Sequence, residues 1–295
     1  MRTYFDCIPC FLRQTLDALR RVTDDDGVKE GVIRAVLRAA GDMDLAQSPP
    51  AMGQIIHRLI REATGNPDPY REAKERFNCL GLELHPRMRR RVLESDDRLG
   101  TAVRLAAAGN VIDLGAKSGI PEGEIAEALE SSLDAPLDEE AVRGLGRAAA
   151  EAESILYIGD NAGEIVLDRL LVEQLGPARV TFAVRGAPVI NDATIADAEA
   201  SGMTAAVEVV TSGSDAPGTI LDDCSPDFRR RFEDADLVLA KGQGNYETLS
   251  ESQRPVFFLL KAKCPVIAAD LDCAPGSLVL RCGRGQGNGR GAAAE

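Results

Sequence analysis

The feature that most constrains this chain is a change of periodicity near residue 150. Before that point apolar residues recur every three or four positions, the spacing of one face of a helix. After it, short apolar runs of four or five residues alternate with helical stretches. Strands alternating with helices imply a parallel or mostly parallel sheet covered on both faces. The expected fold is therefore α/β. A Rossmann-like three-layer α/β/α domain spans 151–282, and an all-helical domain over 1–150 precedes it and contributes to the ligand cleft. A tail over 283–295, rich in Gly, Arg, Gln and Asn, is expected to be disordered.

Helices are predicted over 8–22, 29–41, 51–63, 70–80, 86–108, 122–133 and 138–153, with Leu12, Leu16 and Leu19 lining one face of the first. Strands are predicted at Ile155–Ile158, Val180–Val184, Val207–Val210, Leu237–Ala240 and Val256–Leu260, with an edge strand at Ser277–Leu280.

Charge narrows the function. The 295 residues carry 47 acidic and 34 basic side chains, a net charge of −13, which argues against a nucleic-acid or anionic-membrane surface. No apolar run is long enough to span a bilayer, and Met1 to Asp6 lacks the apolar stretch of a signal peptide. A cytoplasmic location is expected. An anionic substrate then requires a local positive centre.

Ligands of open α/β sheets bind beyond the carboxyl ends of the strands. The first strand is followed by Asp160, Asn161, Gly163 and Glu164; the second by Arg185 and then Asn191-Asp192; the fourth by Lys241-Gly242-Gln243-Gly244-Asn245. The first loop matches neither a dinucleotide fingerprint nor a phosphate-binding Walker loop. Gly163 lets the chain turn into a helix whose free N–H groups suit an anion, yet Asp160 beside them repels phosphate. A divalent cation removes that conflict, and carboxylate and amide oxygens suit Mg²⁺ or Mn²⁺. The plain alternative is that Asp160 and Asn161 cap a helix. Lys241, a scarce Lys in an Arg-rich chain, suits a phosphate oxygen. Arg185 reads equally well as a surface ion pair. Asn110 and Asp113, after a long helix, are candidates to face the cleft.

Taken in order, Cys7-Ile8-Pro9-Cys10, Ala108 to Asp113, Gly159 to Glu164 with Asp168-Arg169, Gly186 to Thr194, and Lys241 to Glu247 resemble the damage-control phosphatases, once catalogued as domain of unknown function 89. The cysteine pair is similar to that of the microbial subgroup. The resemblance implies helices packed on an α/β/α domain and phosphatase activity on small phosphometabolites with Mn²⁺, Mg²⁺, Co²⁺ or Ni²⁺. It implies metal ligation by Asp160, Asn161 and Asp192, and an active-site role for Lys241. Catalytic roles are expected for Asp160, Asp192 and Lys241. Substrate contacts are expected from Asn110, Asp113, Gly163, Glu164, Arg185 and Asn245.

Cys7 and Cys10 can supply half of a structural zinc site, with Cys79, His57 or His85 completing it. The plain alternative is a reduced pair at a helix start. Cys224, Cys264, Cys273 and Cys282 read as small core residues. Two rival functions remain. Asp270 and Asp272 follow the apolar run Val266–Ala269 as an aspartyl-phosphate nucleophile motif would, but Cys273-Ala274-Pro275 comes next and too little chain remains for the downstream partners, so the pair reads as a loop feature. The other is a nucleotide or S-adenosylmethionine binder, including a methyltransferase, without phosphatase activity.

Overall fold

The computed structural model describes residues 1–109 and 122–283. Asn110, Asp113 and the tail beyond Gly283 lie outside the described residues. Helices come first: α1 (Cys7–Val22), α2 (Asp26–Asp42), α3 (Pro49–Thr64), α4 (Arg71–Glu94), α5 (Arg98–Ala108), α6 (Glu122–Ser131) and α7 (Glu139–Glu151). Then follow β1 (Ile155–Ile158), α8 (Glu164–Leu175), β2 (Val180–Val184), α9 (Ile195–Ala200), α10 (Met203–Ala206) and β3 (Glu208–Thr211). The chain continues through α11 (Pro226–Asp234), β4 (Leu237–Lys241), α12 (Gln243–Leu249), β5 (Val256–Lys261), α13 (Pro265–Asp270) and β6 (Leu278–Gly283).

The expected mostly parallel sheet is present, in the order β3-β2-β1-β4-β5-β6. β1 pairs in parallel with β2 and β4, and β6 alone runs antiparallel, against β5. This order reverses direction between β1 and β4, so the loops after these two strands part there and leave a crevice.

Alternate residues of each strand enter two different cores. Ile155, Tyr157, Phe182, Leu239 and Leu259 pack against α4 to α9. Leu156, Ile158, Val238, Phe258 and Leu260 pack against α11 to α13. Burial on both faces explains why these strands are continuous apolar runs. A third core gathers Phe11, Leu19, Val36, Met52, Ile56 and Ile60 from α1 to α3, with Ile190 of the sheet half packed against it.

Three local expectations change. α4 runs through Pro86 rather than starting there. A mid-helix proline costs roughly 3 kcal/mol, but the stripe Phe77, Leu80, Leu84, Met88 and Val92 is buried on both sides of it and offsets that cost. The helix ends instead at Ser95, and Asp97 restarts α5 by accepting from the Gly100 N–H. The run Val266–Ala269 is helical, within α13, so Asp270 closes a helix instead of following a strand. That removes the geometry the aspartyl-phosphate rival needs. Among the described residues no helix is long and apolar enough to cross a membrane.

Candidate active site

Beyond the carboxyl ends of β1, β2, β4 and β5 lies a cavity of about 850 Å³, walled on its other side by α1 and α3. Asp160, Asn161 and Asp192 line it together. Two segments bring them there. Asn161 and Asp192 form an isolated antiparallel bridge, in which Ala162 N donates to Asn191 O at 2.9 Å and Ala193 N to Asp160 O at 2.7 Å. Ile190, a β-branched residue at φ 45°, turns the chain into this bridge. Such a conformation costs on the order of 1–3 kcal/mol and persists where surrounding structure imposes it. Gly242, at φ 80°, allows the β4 loop to pass Asp160, since a side chain there would run into the Asp160 carboxylate.

Both carboxylates belong to largely buried residues. Burial raises Asp160 well above its ordinary range, and the neighbouring Asp192 and Glu164 charges add to the rise. Asp192 is also raised by burial, against the pull of Arg185. Arg185 Nε donates to Asp192 Oδ2 at 2.7 Å. Its Nη2 stands 3.8 Å from Asp160 Oδ1. Asn161 Nδ2 donates to Asp160 Oδ2 at 2.7 Å and to Glu164 Oε2 at 3.0 Å. Both amide hydrogens are thereby committed, and the amide oxygen is left over. Two buried carboxylates and an amide oxygen form a hard donor set that an oxygen-seeking divalent cation fits.

The other sequence-predicted residues lie beneath this group and away from the cavity. Lys241 is fully buried; its Nζ donates to Ala106 O at 2.8 Å, Glu164 Oε1 at 2.5 Å and Asp168 Oδ1 at 2.7 Å. Burial alone pulls its pKa down, but Asp168 and Glu164 outweigh that and the net shift is upward. Asp168 is raised to about 6 by burial despite Lys241, and accepts also from Tyr157 OH at 2.8 Å. Glu164 serves this cluster and Asn161. Gly163, expected at an open helix N-terminus, is covered by α4: its N–H donates to Asn78 Oδ1 at 2.7 Å, and a Cβ there would lie 2.7 Å from Phe77 O. Arg185 is no surface residue; it is 2% exposed and also donates through Nη1 to Asn245 Oδ1 at 3.0 Å. Asn245 is a tie between loops, with Nδ2 donating to Gly159 O and Lys241 O at 3.1 and 2.7 Å. The expected open phosphate contacts from Gly163, Glu164, Arg185, Asn245 and Lys241 are therefore replaced by a buried hydrogen-bonded base.

Lys263 was not singled out from sequence. It follows β5, is exposed on the cavity wall, and is the one Lys or Arg lining the cavity among the described residues. The rule that selected the loops after β1, β2 and β4 also selects the loop after β5, where it stands.

Cys7 and Cys10 line the same cavity, joined by Cys264. Cys79, His57 and His85 are not among the cavity-lining residues, and all seven cysteines are free. Among the described residues, no three His, Cys, Asp or Glu side chains are gathered as a metal-ligand set.

Comparison with known proteins agrees with this architecture. The family described as damage-control phosphatase ARMT1-like domain matches residues 3–279. A Pyrococcus horikoshii protein named damage-control phosphatase is 34% identical over 284 residues, covering 95% of this chain and 97% of its own. An Archaeoglobus fulgidus protein of the same name is also 34% identical over 284 residues, 93% of this chain and 97% of its own. An uncharacterized protein of Methanocaldococcus jannaschii is 37% identical over 287 residues, 93% of each chain. The crystal structure of a DUF89 family protein from Pyrococcus horikoshii superimposes with a TM-score of 0.87 at 31% identity, covering 96% of this chain and all of that one.

Proposed function

We infer, for a chain that belongs to the damage-control phosphatase ARMT1-like family, that it hydrolyses phosphomonoesters of small metabolites with a divalent cation held by Asp160, Asn161 and Asp192. The observation that carries this reading is the pair of buried carboxylates with an uncommitted amide oxygen on the wall of the cavity. Bringing two anions into a buried site is costly unless a positive charge joins them. Mn²⁺, Mg²⁺, Co²⁺ and Ni²⁺ all accept such oxygen donors. When bound, the cation supplies Lewis-acid polarisation of a phosphoryl oxygen.

The remaining work falls to the chain's own residues. Arg185 fixes the Asp192 carboxylate through Oδ2, which leaves Oδ1 to ligate or to orient an attacking water. Lys263 brings positive charge to the same wall and offsets charge on the phosphoryl oxygens. The cavity volume is in the range of sites that enclose a small ligand. Sugar phosphates, nucleotides and phosphopantetheine-like compounds are the substrate classes to test, and a cytoplasmic setting belongs to the same proposal.

The experiment is metal removal and return. Protein stripped with chelator is expected to release no phosphate from a panel of these esters, and to recover on addition of Mn²⁺, Mg²⁺, Co²⁺ or Ni²⁺. Phosphate release that is indifferent to chelation would refute the metal assignment. Tight S-adenosylmethionine binding in chelator, with no ester cleaved under any metal, would favour the methyltransferase rival.

A further inference from the structure

One polar side chain on the cavity wall has no work inside the protein. Of the buried side-chain nitrogens and oxygens without a hydrogen-bond partner among the described residues, only Asn191 Nδ2 belongs to a residue that lines the cavity. Resting on the phosphatase reading above, we propose that Asn191 is a substrate-binding residue whose side-chain amide donates to an oxygen of the phosphoryl group.

The backbone fixes where this residue stands. Ile190, at φ 45°, turns the chain just before it. Asn191 O accepts from Ala162 N at 2.9 Å, and the next residue, Asp192, bridges to Asn161. The residue is only 3% exposed. Its side chain, by contrast, makes no hydrogen bond among the described residues: Nδ2 has no acceptor and Oδ1 has no donor. Buried amides are seldom left in that state, because an unmet donor costs free energy that a ligand oxygen can remove. A half-turn of the amide breaks no hydrogen bond, so its N–H₂ group can meet an oxygen on the cavity side.

A phosphoryl group in this cavity needs such a donor. Asp160 and Asp192 repel it, and the oxygens that do not face a cation need N–H groups. The other amides of the wall are engaged or distant. Asn161 has given its hydrogens to Asp160 and Glu164. Gln243 Nε2 donates to Glu247 Oε1 at 2.9 Å and to Cys264 Sγ at 3.6 Å. Gln14 stands on α1, on the facing wall. Of the amides beside the two aspartates, Asn191 keeps both hydrogens. Its oxygen could instead ligate the cation, and aspartate at this position separates the two roles: a carboxylate keeps the oxygens and loses the N–H donor.

The test reads cation and phosphate separately. Mn²⁺ affinity is measured by calorimetric titration. Affinity for inorganic phosphate at saturating Mn²⁺ is taken from the rise in thermal midpoint with phosphate concentration, a readout that needs no turnover. Asn191→Leu is expected to weaken phosphate about tenfold or more, the value of a hydrogen bond to a charged group, and to raise KM for p-nitrophenyl phosphate in parallel. Its Mn²⁺ affinity should be unchanged. Because no hydrogen bond is lost, its midpoint without ligands should be no lower than that of wild type. Asn191→Asp should lose as much phosphate affinity while binding Mn²⁺ no more weakly than wild type, and it carries the test if the Leu variant fails to fold. The proposal is overturned if Asn191→Asp binds phosphate like wild type. It is overturned too if Asn191→Leu loses Mn²⁺ affinity that Asn191→Asp retains, which would make Oδ1 a cation ligand. A lowered midpoint in Asn191→Leu with phosphate affinity intact would make the amide structural and likewise overturn it. The phosphatase reading fails separately: wild type that cleaves no ester under any metal, yet binds phosphate through Asn191, overturns the reaction and supports the contact.

Discussion

Lys241 Nζ lies 2.5 Å from Glu164 Oε1, and both side chains are buried beneath the cavity. Asp168, fully buried and 2.7 Å from the same ammonium, shares its charge. Removing one partner of a buried ion cluster strands the others. Lys241→Met is expected to cost on the order of 3–5 kcal/mol of stability, seen as a lower midpoint in urea unfolding. The double variant Lys241→Met/Asp168→Asn should recover part of that loss. A single variant as stable as wild type would show that the cluster is not held ionised.

Gly242 tests how tightly the Asp160 carboxylate is boxed in. Its φ of 80° and the overlap of any Cβ with that carboxylate leave no accommodation for Ala. Gly242→Ala is expected to displace the carboxylate and to lower phosphate release by about 100-fold, the scale of a 1 Å misplacement. Circular dichroism should still report the α/β fold. Unchanged turnover would mean that Asp160 is not required where it stands.

The layered fold was legible because each strand is buried on both faces, so Ile155–Ile158 and Leu237–Ala240 stand out as unbroken apolar runs. Asp160 and Asn161 were singled out because they come just after the first such run, and Asp192 because it lies in the loop after β2; the structure brings the three to one wall. Lys241 was legible as special but not in its orientation: the last residue of β4 points into the layer beneath the site, and strand alternation fixes that only once the register is known. Gly163 was misread because helix starts look alike in sequence, whether open or covered by a distant helix such as α4. Val266–Ala269 shows the same limit, since a four-residue apolar run does not separate strand from helix.

Glu247 should give the fold a measurable pH dependence. Burial on the cavity wall lifts its carboxyl to about 7, against a hydrogen bond from Gln243 and the charges of the Met1 ammonium and Lys263, which pull it down. A raised carboxyl pKa means that the folded state holds the proton more tightly. Its contribution is full below the unfolded value near 4.5 and is lost as pH rises through about 7. Glu247→Gln removes that dependence. The stability difference between variant and wild type should grow by on the order of 3 kcal/mol between pH 4.5 and pH 8, read from denaturant midpoints. Parallel pH profiles would contradict it.

Cys7 and Cys10 share a wall with Cys264 yet are not gathered as a ligand set among the described residues. Purified protein is expected to hold no stoichiometric zinc by elemental analysis, and Cys7→Ser/Cys10→Ser is expected to keep its thermal midpoint. One zinc per chain, lost in that double variant together with stability, would restore the structural-zinc reading.

The central claim rests on Asp160, and hydrolysis of p-nitrophenyl phosphate by wild type and Asp160→Ala, side by side in Mn²⁺, tests it most directly. The expected result is metal-dependent phosphate release by wild type and a loss of at least roughly 100-fold in the variant, as for removal of a group that acts on the reacting phosphoryl centre. Equal release from the two proteins would contradict the site.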